Sequence, residues 1–412
     1  MTNSATKSQN TAFDVIIVGG GMVGALLANA LADSGLSIAM IDKNQPTTTW
    51  DASRFDCRVS AVTRASQRIF ESVGVWGAIE KMRASPFREM HVWDATGNGV
   101  IHFDSADIGE PCLGHIIENS VIQSALMARL RQFNNITLFF GNKPLQLSND
   151  DQFAQLQLEN HGTLSGKLIV GADGANSWVR QAVGITVNTR DYRQTAVVTT
   201  VKTEKFHQET AWQRFTPTGP LAFLPLTDGY SSIVWSTTPE QAESLLAMTD
   251  QDFNVALGDA FEHKLGAIIE SGELASFPLK SQHADNYVKH RIALVGDAAH
   301  TIHPLAGQGA NLGFADAATL AEVLQDYAND ASARDVGNYS ALRRYERWRK
   351  GDNLAMLTTM SAFKTLFGNQ QPLLSSLRNM GLNLLNNATP AKNLIIRHAM
   401  GLMGDLPKIA KR

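Results

Sequence analysis

Phe13–Leu31, FDVIIVGGGMVGALLANAL, is the stretch on which the fold turns. Its apolar run Val15–Val18 has the unbroken hydrophobicity of a strand buried on both faces. It breaks into Gly19-x-Gly21-x-x-Gly24, with Met22 and Val23 between the last two glycines, and then into an Ala/Leu helix. In such a turn Gly19 permits the tight strand-to-helix bend, Gly21 leaves bare backbone beside a pyrophosphate, and Gly24 lets helix and strand pack closely. The phosphate charge meets free N–H groups at the positive end of the helix. A second strand, LSIAMID, ends in Asp42 beside Lys43, about 20 residues further on, where an acid takes ribose hydroxyls. A glycine-rich connection that binds nothing is the plainer alternative, but strand, helix, second strand and terminal acid in order favour a dinucleotide.

The chain has 412 residues, which predicts two intertwined domains and an extension rather than one core. With 44% hydrophobic and 18% charged residues it has ample material for a globular interior. A net charge of −3 without a basic stripe argues against nucleic acid. The run Arg343–Lys350, RRYERWRK, reads as a solvated helix face, with attraction to a membrane surface as the second reading. Cys57 and Cys112 make neither a ligand set nor a disulfide framework, so reduced thiols in a cytoplasmic compartment and no metal are expected. MTNSATKSQN lacks the apolar centre of a signal peptide, so secretion is not expected. No run of 18 apolar residues predicts a transmembrane helix.

Residues 291–324, RIALVGDAAHTIHPLAGQGANLGFADAATLAEVL, form a second strand-turn-helix unit. The strand ends at Gly296–Asp297, placing a carboxylate where it could accept hydrogen bonds from the ribityl hydroxyls of a flavin. The turn holds Pro304, Gly307, Gln308 and Gly309, and a helix is expected from about Ala310 to Leu324, with Asn311 in its first turn. A reduced flavin is negative along its pyrimidine edge, and a helix N-terminus stabilises such charge by up to about 2 kcal/mol. A nicotinamide has no ring that needs this partner, so FAD is the favoured resident. One Gly-x-Gly-x-x-Gly alone predicts that NAD(P)H visits and leaves. His300 and His303 could act on a phenol proton, although a turn histidine bonded to backbone is the plainer reading; His303 is kept as the only catalytic candidate.

Between these units, residues 51–80 read as a loop and an amphipathic helix with Ile69, Phe70 and Val73 on one face. Arg58 in the loop could reach a pyrophosphate or a nicotinamide nucleotide, or be a plain surface cation. Residues 115–133 read as a helix containing Gln123, and 136–170 as strands ending before the turn Gly171-Ala172-Asp173-Gly174. Residues 191–284 change to strand alternation with aromatics, then to helix. The expected fold is α/β: a Rossmann-like FAD-binding domain with an inserted antiparallel β-sheet substrate domain and a helical C-terminal extension. The division expected is a flexible tail at 1–11, the FAD-binding domain at 12–80, 110–190 and 285–345, the substrate domain at 81–109 and 191–284, and the helical region at 346–412. The inserted sheet would wall a substrate pocket, with Trp212, Phe215, Phe223, Leu224, Pro225, Leu226 and Trp235 as candidate lining residues. The Met- and Leu-rich stretch 352–405 would serve packing or a subunit contact, or a greasy track for a lipid-like substrate.

The glycine turn, the GADGANS turn at 171–177 and VGDAAHTIHPLAGQGAN at 295–311 resemble those of the single-component flavin aromatic hydroxylases, the family of para-hydroxybenzoate hydroxylase. FDCRVSAV, GVW, LGHIIENSVIQSAL, LIVGADGANSWVR, AFLPL, SIVW and RRYERWRK narrow the likeness to the ubiquinone-biosynthesis hydroxylases from about residue 13 to 405. The resemblance implies that Arg58 contacts FAD and the nicotinamide nucleotide, and that Gln123 sits by the ribityl or diphosphate portion. It implies that Asp173 with Gly174 places both nucleotides, that Asp297 binds the ribityl chain, and that Pro304–Gly309 line the flavin ring above Ala310 and Asn311. Two departures stand out. Asp42 replaces the Glu of many relatives, shortening its reach to the ribose, and Asn119 stands where many aromatic hydroxylases have Arg.

The implied chemistry is NAD(P)H-driven activation of O₂ at FAD and delivery of an electrophilic oxygen to an electron-rich phenol ring. Water must be kept out, or the activated oxygen is lost as H₂O₂. The favoured substrate is a polyprenylated phenol or quinol, with peripheral association at the inner membrane and contact with other ubiquinone-pathway proteins. Two alternatives remain: hydroxylation of a small aromatic acid, for which Arg193 and Arg214 are the obvious anchors, and a flavin-free prenyl-binding module. WQRFTPTGP at 212–220 looks closest to the branch acting late on a demethoxy quinol, but other stretches fit a sister branch, so the ring position stays open.

Overall fold

A computed structural model describes residues 11–46, 50–302, 309–330, 335–368 and 372–411. Most of the expected N-terminal tail lies outside these residues, and Thr11 already belongs to the first strand. That strand, Thr11–Val18, sits inside a largely parallel sheet, flanked by Ile38–Asp42 on one side and Gly162–Gly171 on the other. Ile136–Phe140 extends the first side and Ile292–Leu294 the second, both parallel. Helices Met22–Leu31, Asn119–Leu130 and Gly309–Asn329 contribute to the same hydrophobic core. Burial from both sides accounts for the uniformly apolar Val15–Val18, where no residue is more than 4% exposed.

Register brings the turns together. Val18 pairs with Gly171, and Gly171 with Leu294, so three strands that are distant in sequence end side by side. Backbone bonds continue the alignment past the strand ends: Ala172 N donates to Val18 O at 2.8 Å and Val295 N to Gly171 O at 3.0 Å. The glycine turn, the Gly-Ala-Asp-Gly turn and Gly296–Asp297 therefore leave the sheet at one place, the carboxyl ends of parallel strands where ligands of α/β folds sit.

The second sheet has nine strands and includes Glu89–Asp94, Val100–Asp104, Val187–Thr203, Thr210–Thr216, Gly219–Pro225, Tyr230–Thr237 and Ala275–Ala284. One face packs on helices Pro239–Leu246 and Asp250–Ala260, each started by a threonine cap, Thr238 and Thr249. His300–Thr301 adds a short edge strand from the cofactor segment, so the two sheets share a boundary. Three local expectations change. Val59–Thr63 is a strand before helix Arg64–Ser72, and Gly114–Glu118 is a strand before helix Asn119–Leu130 rather than part of it. These two strands pair antiparallel, and the β-branched residues of HIIE fit that pairing better than a helical turn. The helix expected to end at Leu324 continues to Asn329.

The basic run 343–350 is not a simple solvated face. Tyr345, Glu346 and Arg349 are buried on helix Tyr339–Gly368. Arg349 Nε donates to the Asp316 carboxylate at 2.9 Å, Asn353 Nδ2 to the same group at 3.1 Å, and His300 Nε2 lies 2.5 Å from it. Gly296 N also donates to Asp316, at 3.1 Å. Tyr345 Oη donates to Leu294 O at 2.8 Å, and Glu346 accepts from Tyr287 N. Burial alone would push the Asp316 carboxyl up, but His300 and Arg349 hold it down at about 2. Its stabilising effect is complete above the ordinary carboxyl value near 3.8 and is lost as pH falls towards about 2. Replacing Asp316 by Asn should cost about 3–5 kcal/mol in denaturant unfolding, because buried Arg349 and His300 both lose a charged partner and Arg349 keeps only the half-exposed Asp352. A loss below 1 kcal/mol would show that the network does not hold this helix.

Candidate functional site

Gly19 has φ +116°, and a Cβ there would meet Ala172 O at 2.3 Å, so the first turn lies directly against the Gly-Ala-Asp-Gly turn. At Gly24 a Cβ would meet Gly19 O at 2.0 Å, which is the close helix-to-turn packing the spacing predicts. Gly21 is different: nothing lies within 4 Å of where its Cβ would stand, and the residue faces a cavity. Helix Met22–Leu31 starts there without a side-chain cap, leaving first-turn N–H groups for an anion. Met22 and Val23 line the same cavity.

Asp42 and Gln123 brace this turn from behind. Asp42 Oδ2 accepts from Gly20 N at 2.7 Å, and Gln123 Nε2 donates to Gly20 O at 2.9 Å. Neither lines the cavity, and Lys43 is exposed beside Asp42. Asp173 turns away as well: Oδ2 caps Val179 N at 3.0 Å, and Oδ1 is buried without a partner. Gly174, at φ +82°, does face the cavity.

Arg58 and Asp297 face each other's charge across the cavity floor. Asp297 opens onto the cavity with protein behind it, and that desolvation pushes its carboxyl above the usual range against the pull of His300 and Arg58. Gly296 has φ +58°, and a Cβ there would come within 3.3 Å of Val23, so first and third turns touch. Gly309 and Ala310 line the cavity at the start of their helix. Asn311 does not: Oδ1 accepts from Thr63 N at 3.0 Å and Nδ2 donates to Ala61 O at 2.8 Å, tying the helix to strand Val59–Thr63. His303, Pro304, Gly307 and Gln308 lie outside the described residues. His300 is 2% exposed and engaged with Asp316, so it is not a free base.

From this floor a cavity of about 600 Å³ extends under the second sheet. Of the aromatic and proline candidates only Phe215 lines it. Phe223 instead stacks on Phe261 with ring centres 3.8 Å apart, Trp235 packs in the same helix-facing cluster, Trp212 Nε1 donates to His207 O, and Pro225 shares the strand face of Phe223. Alternation reveals that a strand has two faces but not which faces ligand when helices cover the other. The cavity face is formed by Met90, Val92, Gln213, Ala222, Leu224 and Val234 among others. Arg214 points the opposite way, to Glu262 at 2.6 Å, and Arg193 is exposed on a φ +51° residue outside the cavity. Asn119, singled out in the sequence only as a departure from Arg, lines the cavity, as do Thr301 and Ile302, which sequence reasoning missed; Leu382, Leu385, Ile396 and Met400, from the stretch for which packing and a greasy track were the two readings, help close it. Among the described residues there is no metal-binding cluster.

The residues present fit FAD: an open Gly21 backbone at an uncapped helix start, an acid at the third turn, and a second helix start facing the same space. The FAD binding domain family matches residues 12–353. The 3-demethoxyubiquinol 3-hydroxylase of Escherichia coli is 38% identical over 98% of this chain and 100% of its own length. The ubiquinone hydroxylase UbiL of Rhodospirillum rubrum is 37% identical over 98% of this chain and 92% of its own. Among solved structures, p-nitrophenol 4-monooxygenase PnpA of Pseudomonas putida covers 95% of this chain and 98% of its own with a TM-score of 0.73 at 18% identity, a likeness of fold. On the family model and these end-to-end relatives, the chain belongs to the FAD binding domain family, in its ubiquinone-biosynthesis hydroxylase group of FAD-dependent monooxygenases.

Proposed function

We propose that this protein hydroxylates the ring of a polyprenylated phenol or quinol in ubiquinone biosynthesis, using NAD(P)H and O₂. The observation that carries this reading is the cavity: its sheet face holds no charged side chain, and both arginines that could anchor an aromatic acid lie elsewhere. FAD held here would supply the redox chemistry, hydride acceptance from NAD(P)H and activation of O₂. The chain's own part is placement and exclusion. The Gly21 turn and helix start would hold the diphosphate, Asp297 would accept from the ribityl hydroxyls, and Arg58 would meet the nicotinamide nucleotide at the cavity edge. Gly309 and Ala310 would set the helix start against the flavin ring, and the apolar sheet face would keep water from the reacting centre.

The C-terminal helices would open this cavity to a lipid surface. Leu382, Leu385 and Ile396 face inward, whereas Met380, Leu384 and Leu394 are exposed on the other side. Ile395 lines the cavity and is 39% exposed, so the apolar lining runs out to the surface. No Asp or Glu occurs between Asp352 and Asp405, while Lys364, Arg378 and Arg397 do; Lys392 in the same stretch is buried against Asp107. We infer peripheral docking of this face on an anionic bilayer, from which a prenyl chain enters. Among the described residues no helix is long and apolar enough to cross a membrane.

Gly21→Val should fold as the parent does, since no atom of the described residues lies within 4 Å of the new Cβ, but should purify colourless; a yellow variant would remove the diphosphate from this turn. Hydroxylated product per NAD(P)H oxidised should be high with a short-chain prenyl phenol and near zero with para-hydroxybenzoate, and the reverse would overturn the substrate reading. A Leu384→Glu, Leu394→Glu double variant should lose at least about tenfold in cosedimentation with anionic vesicles at unchanged flavin content. Equal binding would place the lipid contact elsewhere.

A further inference from the structure

The rung of the second sheet that crosses the middle of the cavity runs Ile101, Val92, Gln213, Ala222, Val234, Val198. All six line the cavity, and five are aliphatic. The rung on one side contributes Phe103, Met90, Ala211 and Leu224, and the rung on the other Phe215, Pro220 and Ser236. An amide at the centre of this surface is out of keeping with its neighbours, which apart from Ser236 are apolar.

Gln213 is only 6% exposed, yet its side-chain amide makes no hydrogen bond to any described residue. Its strand neighbours on the opposite face show no such lack: Trp212 bonds His207 O, and Arg214 bonds Ala260 O and Glu262. The amide opens onto the cavity, where water or a bound molecule would complete it. Ala222, the partner across one strand, leaves space above the sheet for that completion. The amide offers two N–H donors and a carbonyl acceptor but no charge. It therefore suits a neutral ring oxygen, a phenol hydroxyl that donates or a quinone or methoxy oxygen that accepts, and does not suit a carboxylate, which calls for a cation.

We propose that Gln213 is the specificity-determining contact of this cavity: it hydrogen-bonds an oxygen of the substrate ring and so selects which ring carbon is turned towards the flavin. This rests on the hydroxylase reading above and adds to it the means by which position is chosen. With the oxygen held at one point of an otherwise featureless apolar wall, rotation of the ring in its own plane is restricted. Without it, shape alone would have to orient a nearly symmetrical ring.

The test uses the flavin-loaded full-length protein and a short-chain prenyl phenol, with Gln213→Leu and the more nearly isosteric Gln213→Met. Both variants should keep their flavin, raise KM about tenfold, lower product per NAD(P)H oxidised, and release a mixture of ring isomers where the parent releases one. On the analogue whose ring hydroxyl is replaced by hydrogen, parent and variants should bind alike, a result that a purely structural role for Gln213 does not produce. Unchanged isomer, coupling and KM in both variants would overturn the inference while leaving the hydroxylase reading in place. Failure of the parent itself to bind or hydroxylate the prenyl phenol would overturn both.

Discussion

The alignment of Val18, Gly171 and Leu294 across three parallel strands is the constraint from which the rest of the molecule follows. Each strand ends in a turn that does one part of a job: open backbone at Gly21, the sharp bend at Gly174, a carboxylate at Asp297. Separated by more than a hundred residues, these parts become one site only because the register of a buried parallel sheet is strongly specified. The contacts between turns leave little freedom: Gly19 lies against Ala172, and Gly296 and Gly313 against Val23. Larger side chains at these junctions would push the turns apart.

The third turn has its own support. Asp316 accepts from Gly296 N, and through Arg349 and Asn353 it joins that turn to the helix that leads into the C-terminal region. A buried ion pair of this kind is weak evidence for net stability, since desolvation offsets much of its attraction. Its effect is directional: the long helix can leave only by breaking the contacts of Arg349 and Asn353 with the buried Asp316 carboxylate. The two helices that follow it in the chain, Pro372–Asn387 and Thr389–Ala399, help close the cavity beneath the second sheet.

Sequence reasoning reached the parts of this site that depend on backbone geometry. Gly19 and Gly24 behave as their spacing implies because only a missing side chain satisfies those positions, and Gly21 leaves bare backbone facing open space. The substrate wall was not legible in the same way. Trp212, Phe223 and Trp235 drew attention by size, yet both faces of their sheet are covered, one by helices and one by the cavity, and period-two alternation cannot tell them apart. Gln213 carried no signal until the register placed it among Val92, Ala222 and Val234. Arg349 read as solvated because its partner Asp316 lies 33 residues earlier within an Ala-rich helix. Asn311 read as a cofactor contact from its motif, whereas its amide is engaged by Ala61 and Thr63, a strand that sequence had left as loop.

The central claim is that one FAD spans the three turns. A crystal structure of the protein purified with its native flavin tests this most directly. The diphosphate should lie against the Gly21 backbone at the start of helix Met22–Leu31, the ribityl chain beside Asp297, and the ring should open onto the Gln213 face of the second sheet. Flavin bound with its diphosphate away from Gly21, or a flavin-free protein whose cavity stays empty in crystals grown with excess FAD, would contradict it.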